Sequence, residues 1–288
     1  MAKCALTKKE CQLRQSHIYP KFVIEWMKNT GSSYLRPHTT PNRRMQDGYK
    51  IALLSDEAEQ LFSLREKWFA ENVFQPYLKD STITFSYNEN LFYFAISMLW
   101  RILILELKRP NIEVFKFKSI MEEAEVQWRE FLHKGIYPEN FDHIHLMLTD
   151  RVASHTFSLK GVDYYFSRAL DGTTAFNDKN GCGIYVKFAR FIFWGFLSGV
   201  DDTSFAGTKI NPIKGNMKME GQQMATSFVH GFYQNRMQQI EESTQYASEK
   251  QQEIIEKDIL KNKEKYSSSE VADIIQNDEN LYNKNRKE

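Results

Sequence analysis

Apolar residues along this chain recur at two periods, and the change from one to the other organises it. Residues 1–19 show little helical periodicity and read as a short hairpin or knuckle. Behind Pro20, which can open a helix in its first turn, Phe22, Val23, Trp26 and Met27 recur at helical spacing up to Gly31. Residues 34–48 are polar, with Pro37, Pro41 and Gly48, and predict a loop; residues 49–54 are short and apolar and predict a strand. Ser55 or Asp56 can then cap a helix whose acidic first turn (Asp56, Glu57, Glu59) suits the positive end of its dipole. Its apolar stripe runs through Ala58, Leu61, Phe62, Trp68, Phe69 and Val73, and Pro76 is expected to stop it.

Residues 88–108 are apolar on nearly every helical face and predict a central helix; residues 115–134 predict an amphipathic one. Beyond them the period falls to two. Residues 143–148 alternate, 184–197 are aromatic and β-rich with Gly195 as an expected bulge or bend, and 205–210 read as a further strand. Asp171-Gly172 and Asn180-Gly181 are turn signals. Helical character returns after Gly221, with a polar stretch at 238–265 and an expected frayed end from 277. The fold expected is α+β and mostly helical: a ββα-like unit without zinc over 1–80, then long core helices, a small sheet and C-terminal helices over 81–288.

The apolar run at 91–105 is short for a membrane span and contains Arg101, so a buried helix and no membrane contact are expected. Cys4, Cys11 and Cys182 make no disulfide framework and no Cys-x-x-Cys, and no presequence is evident, which points to the cytoplasm. The net charge of +1 conceals an asymmetry: residues 1–50 hold ten basic and three acidic side chains, about +7, which leaves about −6 for the rest. A local positive field attracts phosphates, although a lysine-rich surface exposed to solvent would give the same count.

Three blocks carry candidate chemistry. They are Ser16-His17-Ile18-Tyr19-Pro20-Lys21-Phe22, Gln46-Asp47-Gly48, and Leu53-Leu54-Ser55-Asp56-Glu57-Ala58-Glu59 running into a helix, with Ser97-Met98-Leu99-Trp100-Arg101 further on. Together they resemble an HNH-like (ββα-metal) endonuclease family of bacteria. The resemblance implies a histidine general base, an orienting residue and a divalent ion, Mg or Mn, beside a scissile phosphate. Carried onto this chain, His17 is the base, Asn42 its orienting partner and Glu59 the metal-ligating carboxylate. Ser16 stands where a ligand is common, and Phe62 where a second helix ligand is often found.

Arg14, Lys21, Arg43, Arg44 and Lys50 would flank a groove for DNA or RNA and contact phosphates without reading sequence. The resemblance also implies two knuckles that bind structural zinc through four thiolates. Only Cys4 is present; Thr7, Ser55 and Ala58 hold the other three positions, and Cys11 lies at the wrong spacing, so no structural zinc is expected. The leading expectation is a nucleic-acid-binding protein derived from such a nuclease, with phosphodiester hydrolysis in genome or phage defence as its activity. The alternative is a non-catalytic interaction module that uses the degenerate unit as scaffold, with a protein partner or a second copy docked through the C-terminal helices.

Other signals are weaker. His143 and His145 are two apart on an expected strand and share a face, with Asp150 or His155 as a third metal ligand, but two surface histidines satisfy the pattern equally. Gly207-Thr208-Lys209 lacks the preceding glycine of a phosphate loop.

Overall fold

The computed structural model describes residues 2–31, 35, 45–157, 159–201, 204–224, 226–244, 248–261 and 269–285. The chain divides into two compact units that alternate along the sequence. The first comprises Met1–Pro20, Lys50–Thr149 and Leu170–Val229; the second comprises Lys21–Tyr49, Asp150–Ala169 and His230–Glu288. Residues on both sides of position 80 belong to the first unit. The fold is α+β and mostly helical.

The first unit opens with a short hairpin, β1 (Ala2–Lys3) on β2 (Glu10–Cys11). Next, β3 (Arg14–His17) pairs antiparallel with β4 (Lys50–Leu54), and α2 (Asp56–Phe69) follows at once. Thus the strand–strand–helix order read from the sequence is formed, and α2 contacts both strands. Ser55 caps α2, its side chain accepting from the Ala58 amide at 3.3 Å.

Pro76 does not stop the helix. The ladder widens to a π-turn over Ala70–Phe74 and restarts as α3 (Gln75–Lys79), with Pro76 in the first turn, where a missing N–H costs nothing. The helix ends instead at Asp80.

The apolar helix α4 (Glu89–Glu106) is buried at thirteen positions and contacts α2, α5 (Lys118–Lys134) and all four strands of a sheet. That sheet is antiparallel in the order β6-β9-β8-β7, with β6 Ile144–Leu148, β7 Asp171–Phe176, β8 Cys182–Phe188 and β9 Phe191–Ser198. The aromatic stretch at 184–197 is therefore two strands joined by a tight turn, buried at nearly every position because both sheet faces are covered. On one face, Phe69 stacks on Phe94 (centroids 4.1 Å apart) and meets Phe188, Phe191 and Phe193. On the other, Trp194 and Phe196 meet Phe228 and Phe205.

Several turn and strand expectations change for packing reasons. Gly195 is not a bulge: a Cβ there would sit 2.8 Å from the Trp128 ring, so glycine admits the indole. The register shift falls between Cys182 and Gly183. Asp171-Gly172 lies within β7, where Gly172 admits Ile102 and the Tyr19 hydroxyl. Asn180-Gly181 does turn the chain, with Asn180 left-handed at φ 68°. Residues 205–210 run along the β6 edge through Leu146 N to Thr208 O (2.8 Å) and Ile210 N to Ile144 O (2.9 Å), too irregularly to be a strand but enough to cover the edge. A last strand, β10 (Lys214–Met217), pairs with β5 (Phe85–Asn88).

The second unit holds α1 (Lys21–Asn29), α6 (Val162–Arg168), most of α7 (Ser227–Thr244), α8 (Glu249–Lys261) and α9 (Glu270–Asn285). Buried Arg168 ties three of these together: it bonds Met27 O and Thr30 Oγ1, lies over the Trp26 ring and reaches Glu270 at 3.9 Å. Residues 277–285 are helical, against the expected fraying, and from within this helix Asp278 acts as a cap in trans. Helix α6 begins after Gly161, which has no capping oxygen, and the Asp278 carboxylate accepts from the Asp163 and Tyr164 amides at 2.7 and 3.0 Å.

Candidate active site

The site is built from the hairpin outward. Cys4 is fully buried in a knuckle closed by Cys4 N to Lys9 O and Lys8 N to Cys4 O, both 2.9 Å. Its Sγ accepts from the Ser55 amide at 3.2 Å. Burial raises the Cys4 thiol pKa, but hydrogen bonds from Thr7 and Ser55 outweigh it and hold the thiol below its ordinary value. Thus three of the four knuckle positions named from the sequence, Cys4, Thr7 and Ser55, join in one hydrogen-bonded cluster. Ala58, the fourth, donates its amide to Ser55. Ser16 is committed in the same way, its Oγ accepting from the Leu54 amide at 3.2 Å, and so is spent as a structural acceptor.

His17 ends β3, half-buried, directly across the ladder from Lys50. Cross-strand partners share a face, so a cation stands beside the imidazole. Glu59 lies in the first turn of α2, on the same strand–strand–helix unit, and its Oε1 is buried without a hydrogen-bond partner among the described residues. Asn42, Arg43 and Arg44 lie outside the described residues. Of the other expected phosphate contacts, Arg14 is paired with Asp56 (2.8 Å) and Lys21 with Glu25 (3.3 Å), both on exposed surface. Phe62 is no ligand: it is buried edge-on to Tyr93 and Trp100, with the Arg101 guanidinium 4.8 Å from its ring centre.

Several consequential residues were invisible from spacing. The Ser97–Arg101 block turns out to be a packing feature. Ser97 bonds back to Phe94 O, Trp100 Nε1 meets Glu125 at 3.4 Å, and buried Arg101 pairs with Glu66 of α2. A single charge inside an apolar run was the available signal, since such a charge needs a partner. Arg65 on α2 lay on the flank of the apolar stripe and gave no signal. His145 is buried between Phe196 and Phe205 with Nδ1 3.0 Å from Thr208 Oγ1, which also accounts for Thr208 of the Gly-Thr-Lys run. Among the described residues no group of three His, Cys, Asp or Glu side chains is placed to hold a metal ion.

Comparison with protein-family models, with curated proteins and with solved structures finds no match to this chain.

Proposed function

We propose that the β3–β4–α2 unit engages nucleic acid and supports metal-dependent phosphodiester hydrolysis, with His17 as general base. The observation that carries this reading is the Glu59 carboxylate. One of its oxygens is buried without a donor among the described residues, on the helix that follows the His17 hairpin. A buried carboxylate oxygen is costly unless a cation or donor reaches it. A single protein carboxylate, completed by water and substrate phosphate, is a donor set that Mg²⁺ accepts. Glu59 would hold the ion, and the ion would neutralise charge on the phosphate. His17 takes the proton of the attacking water as its oxygen bonds to phosphorus, and the opposite P–O ester bond breaks, the departing alkoxide being protonated from solvent. Lys50, across from His17, offers a phosphate contact.

The experiment is incubation of plasmid DNA and of RNA with the full chain in Mg²⁺ or Mn²⁺, beside a His17→Ala control. Cleavage lost in the control supports the reading. Cleavage that survives it removes His17 from the chemistry.

A second reading rests on a different observation. Arg14 and Lys21 spend their charge on Asp56 and Glu25, which weakens the field expected of a duplex groove. On that reading the unit is a non-catalytic scaffold, and the C-terminal helices, with Leu260 and Ile275 exposed, dock a protein partner or a second copy. Absence of cleavage, together with nucleic-acid binding that is flat across a salt series, would favour it. No helix among the described residues is long and apolar enough to cross a membrane.

A further inference from the structure

A cleft on the first unit holds a cation that meets no hydrogen-bond acceptor among the described residues. Its volume is about 550 Å³, and it opens between α2, the start of α4 and the end of α5. Its walls are aromatic: Tyr93, Phe131 and Tyr137, with Leu61 and Ile213 at the sides. Both tyrosine hydroxyls are already committed, Tyr93 donating to Leu132 O at 2.7 Å and Tyr137 to Asp142 Oδ2 at 2.8 Å. Those bonds fix the rings, so the cleft presents ring surface rather than hydroxyls.

Arg65 lines the same cleft, its guanidinium 4.6 Å from the Tyr93 ring centre. Its Nε is buried and meets no acceptor, and its guanidinium makes no hydrogen bond or ion pair among the described residues. A half-buried guanidinium is normally matched by a carboxylate or phosphate, because its five donors are costly to leave idle. The first turn of α4 also borders the cleft and adds the positive end of a helix dipole. Glu89, the one carboxylate among the lining residues, can accept from a donor on the ligand.

We propose that this cleft is a binding site for a small anion with a planar aromatic body, its ring against the aromatic walls and its anionic head on Arg65. The shared chemistry covers an aromatic carboxylate and a nucleoside monophosphate. Such a site is separate from the proposed phosphodiester chemistry and does not depend on it.

The test is isothermal calorimetry of the full chain with four probes. Indole-3-acetate and AMP carry both ring and head; acetate and inorganic phosphate carry the head alone. The expected result is saturable binding of indole-3-acetate, AMP or both, with no binding of acetate or phosphate at the same concentrations. The Arg65→Gln variant should weaken that binding roughly tenfold or more, the loss of a charge-assisted contact. Tyr137→Leu, which alters a partly exposed wall and not the cation, should weaken it several-fold and serves if Arg65→Gln fails to fold. Binding of indole-3-acetate alone assigns a carboxylate head, and binding of AMP alone a phosphate head. No binding of either ring-bearing probe, or equal binding by the folded variants and the unaltered chain, overturns the proposal.

Discussion

Two stretches of helix α2 treat buried polar groups in opposite ways. At its cap the polar groups are paired: Ser55 caps the helix, Cys4 accepts the Ser55 amide, and exposed Asp56 pairs with Arg14. One turn and three turns beyond Ser55, Glu59 Oε1 and Arg65 Nε are buried with no hydrogen-bond partner among the described residues. Satisfied groups stabilise a fold and are explained by it. Orphaned ones cost stability unless a donor, a water or a ligand reaches them. Cys4 and Ser55 serve the hydrogen bonding of the hairpin and the helix cap, whereas Glu59 Oε1 serves no bond among the described residues.

The contrast can be broken or sharpened by experiment. The largest effect is expected at the buried ion pair Arg101–Glu66. Arg101→Ala removes the guanidinium from under Phe62 and strands Glu66, and should cost about 3–5 kcal/mol in urea unfolding. A loss below about 1 kcal/mol would show that the pair is incidental.

Next comes pH. Burial pushes the Lys187 ammonium down to about 7, the neighbouring Asp171 only partly opposing it. Between that value and the ordinary lysine range the unfolded chain binds more protons than the folded one. Stability should therefore rise with pH from about 7 toward 10, with a limiting slope of about 1.4 kcal/mol per pH unit. Below about 7 both states are protonated and the contribution is flat. Lys187→Met should remove that slope; an unchanged slope would assign it to other groups.

A smaller change is expected at the cap. Ser55→Ala loses the bond to the Ala58 amide and should destabilise by about 1 kcal/mol in the same assay. The smallest stability effect is expected at the orphan. Glu59→Gln breaks no hydrogen bond at Oε1, so its unfolding free energy should stay within about 0.5 kcal/mol or rise. Its Mn²⁺-dependent cleavage should nonetheless fall by about two orders of magnitude if the carboxylate holds the ion. A marked loss of stability in Glu59→Gln would move that residue to the structural side of the comparison.

Local signals were legible wherever geometry depends on residues near in sequence. Helix α4, the Ser55 cap, the strand at 50–54 and the turn at Asn180-Gly181 all follow from periodicity or from one side chain bonding a nearby amide. So does the order of the unit that carries His17 and Glu59. The failures share a cause. Gly172 and Gly195 look like punctuation in sequence, yet each is a place where a distant side chain needs room, Tyr19 and Ile102 in one case and Trp128 in the other. Pro76 was absorbed by a π-turn, and the helical end from 277 carries Asp278, which reaches the start of α6.

The amino-acid order alone determined the helical and β periods, the mixed α+β class and the position of one histidine at the end of a short strand, because each is set within a few residues. Only the tertiary structure decided which polar groups found partners. Arg101 stands out in sequence as a lone charge in an apolar run and Arg65 does not, yet neither local setting names a partner: Arg101 is closed by Glu66 of another helix, and Arg65 faces an aromatic cleft. Whether a buried charge is satisfied depends on what the folded chain brings from far away, and no local pattern contains that information.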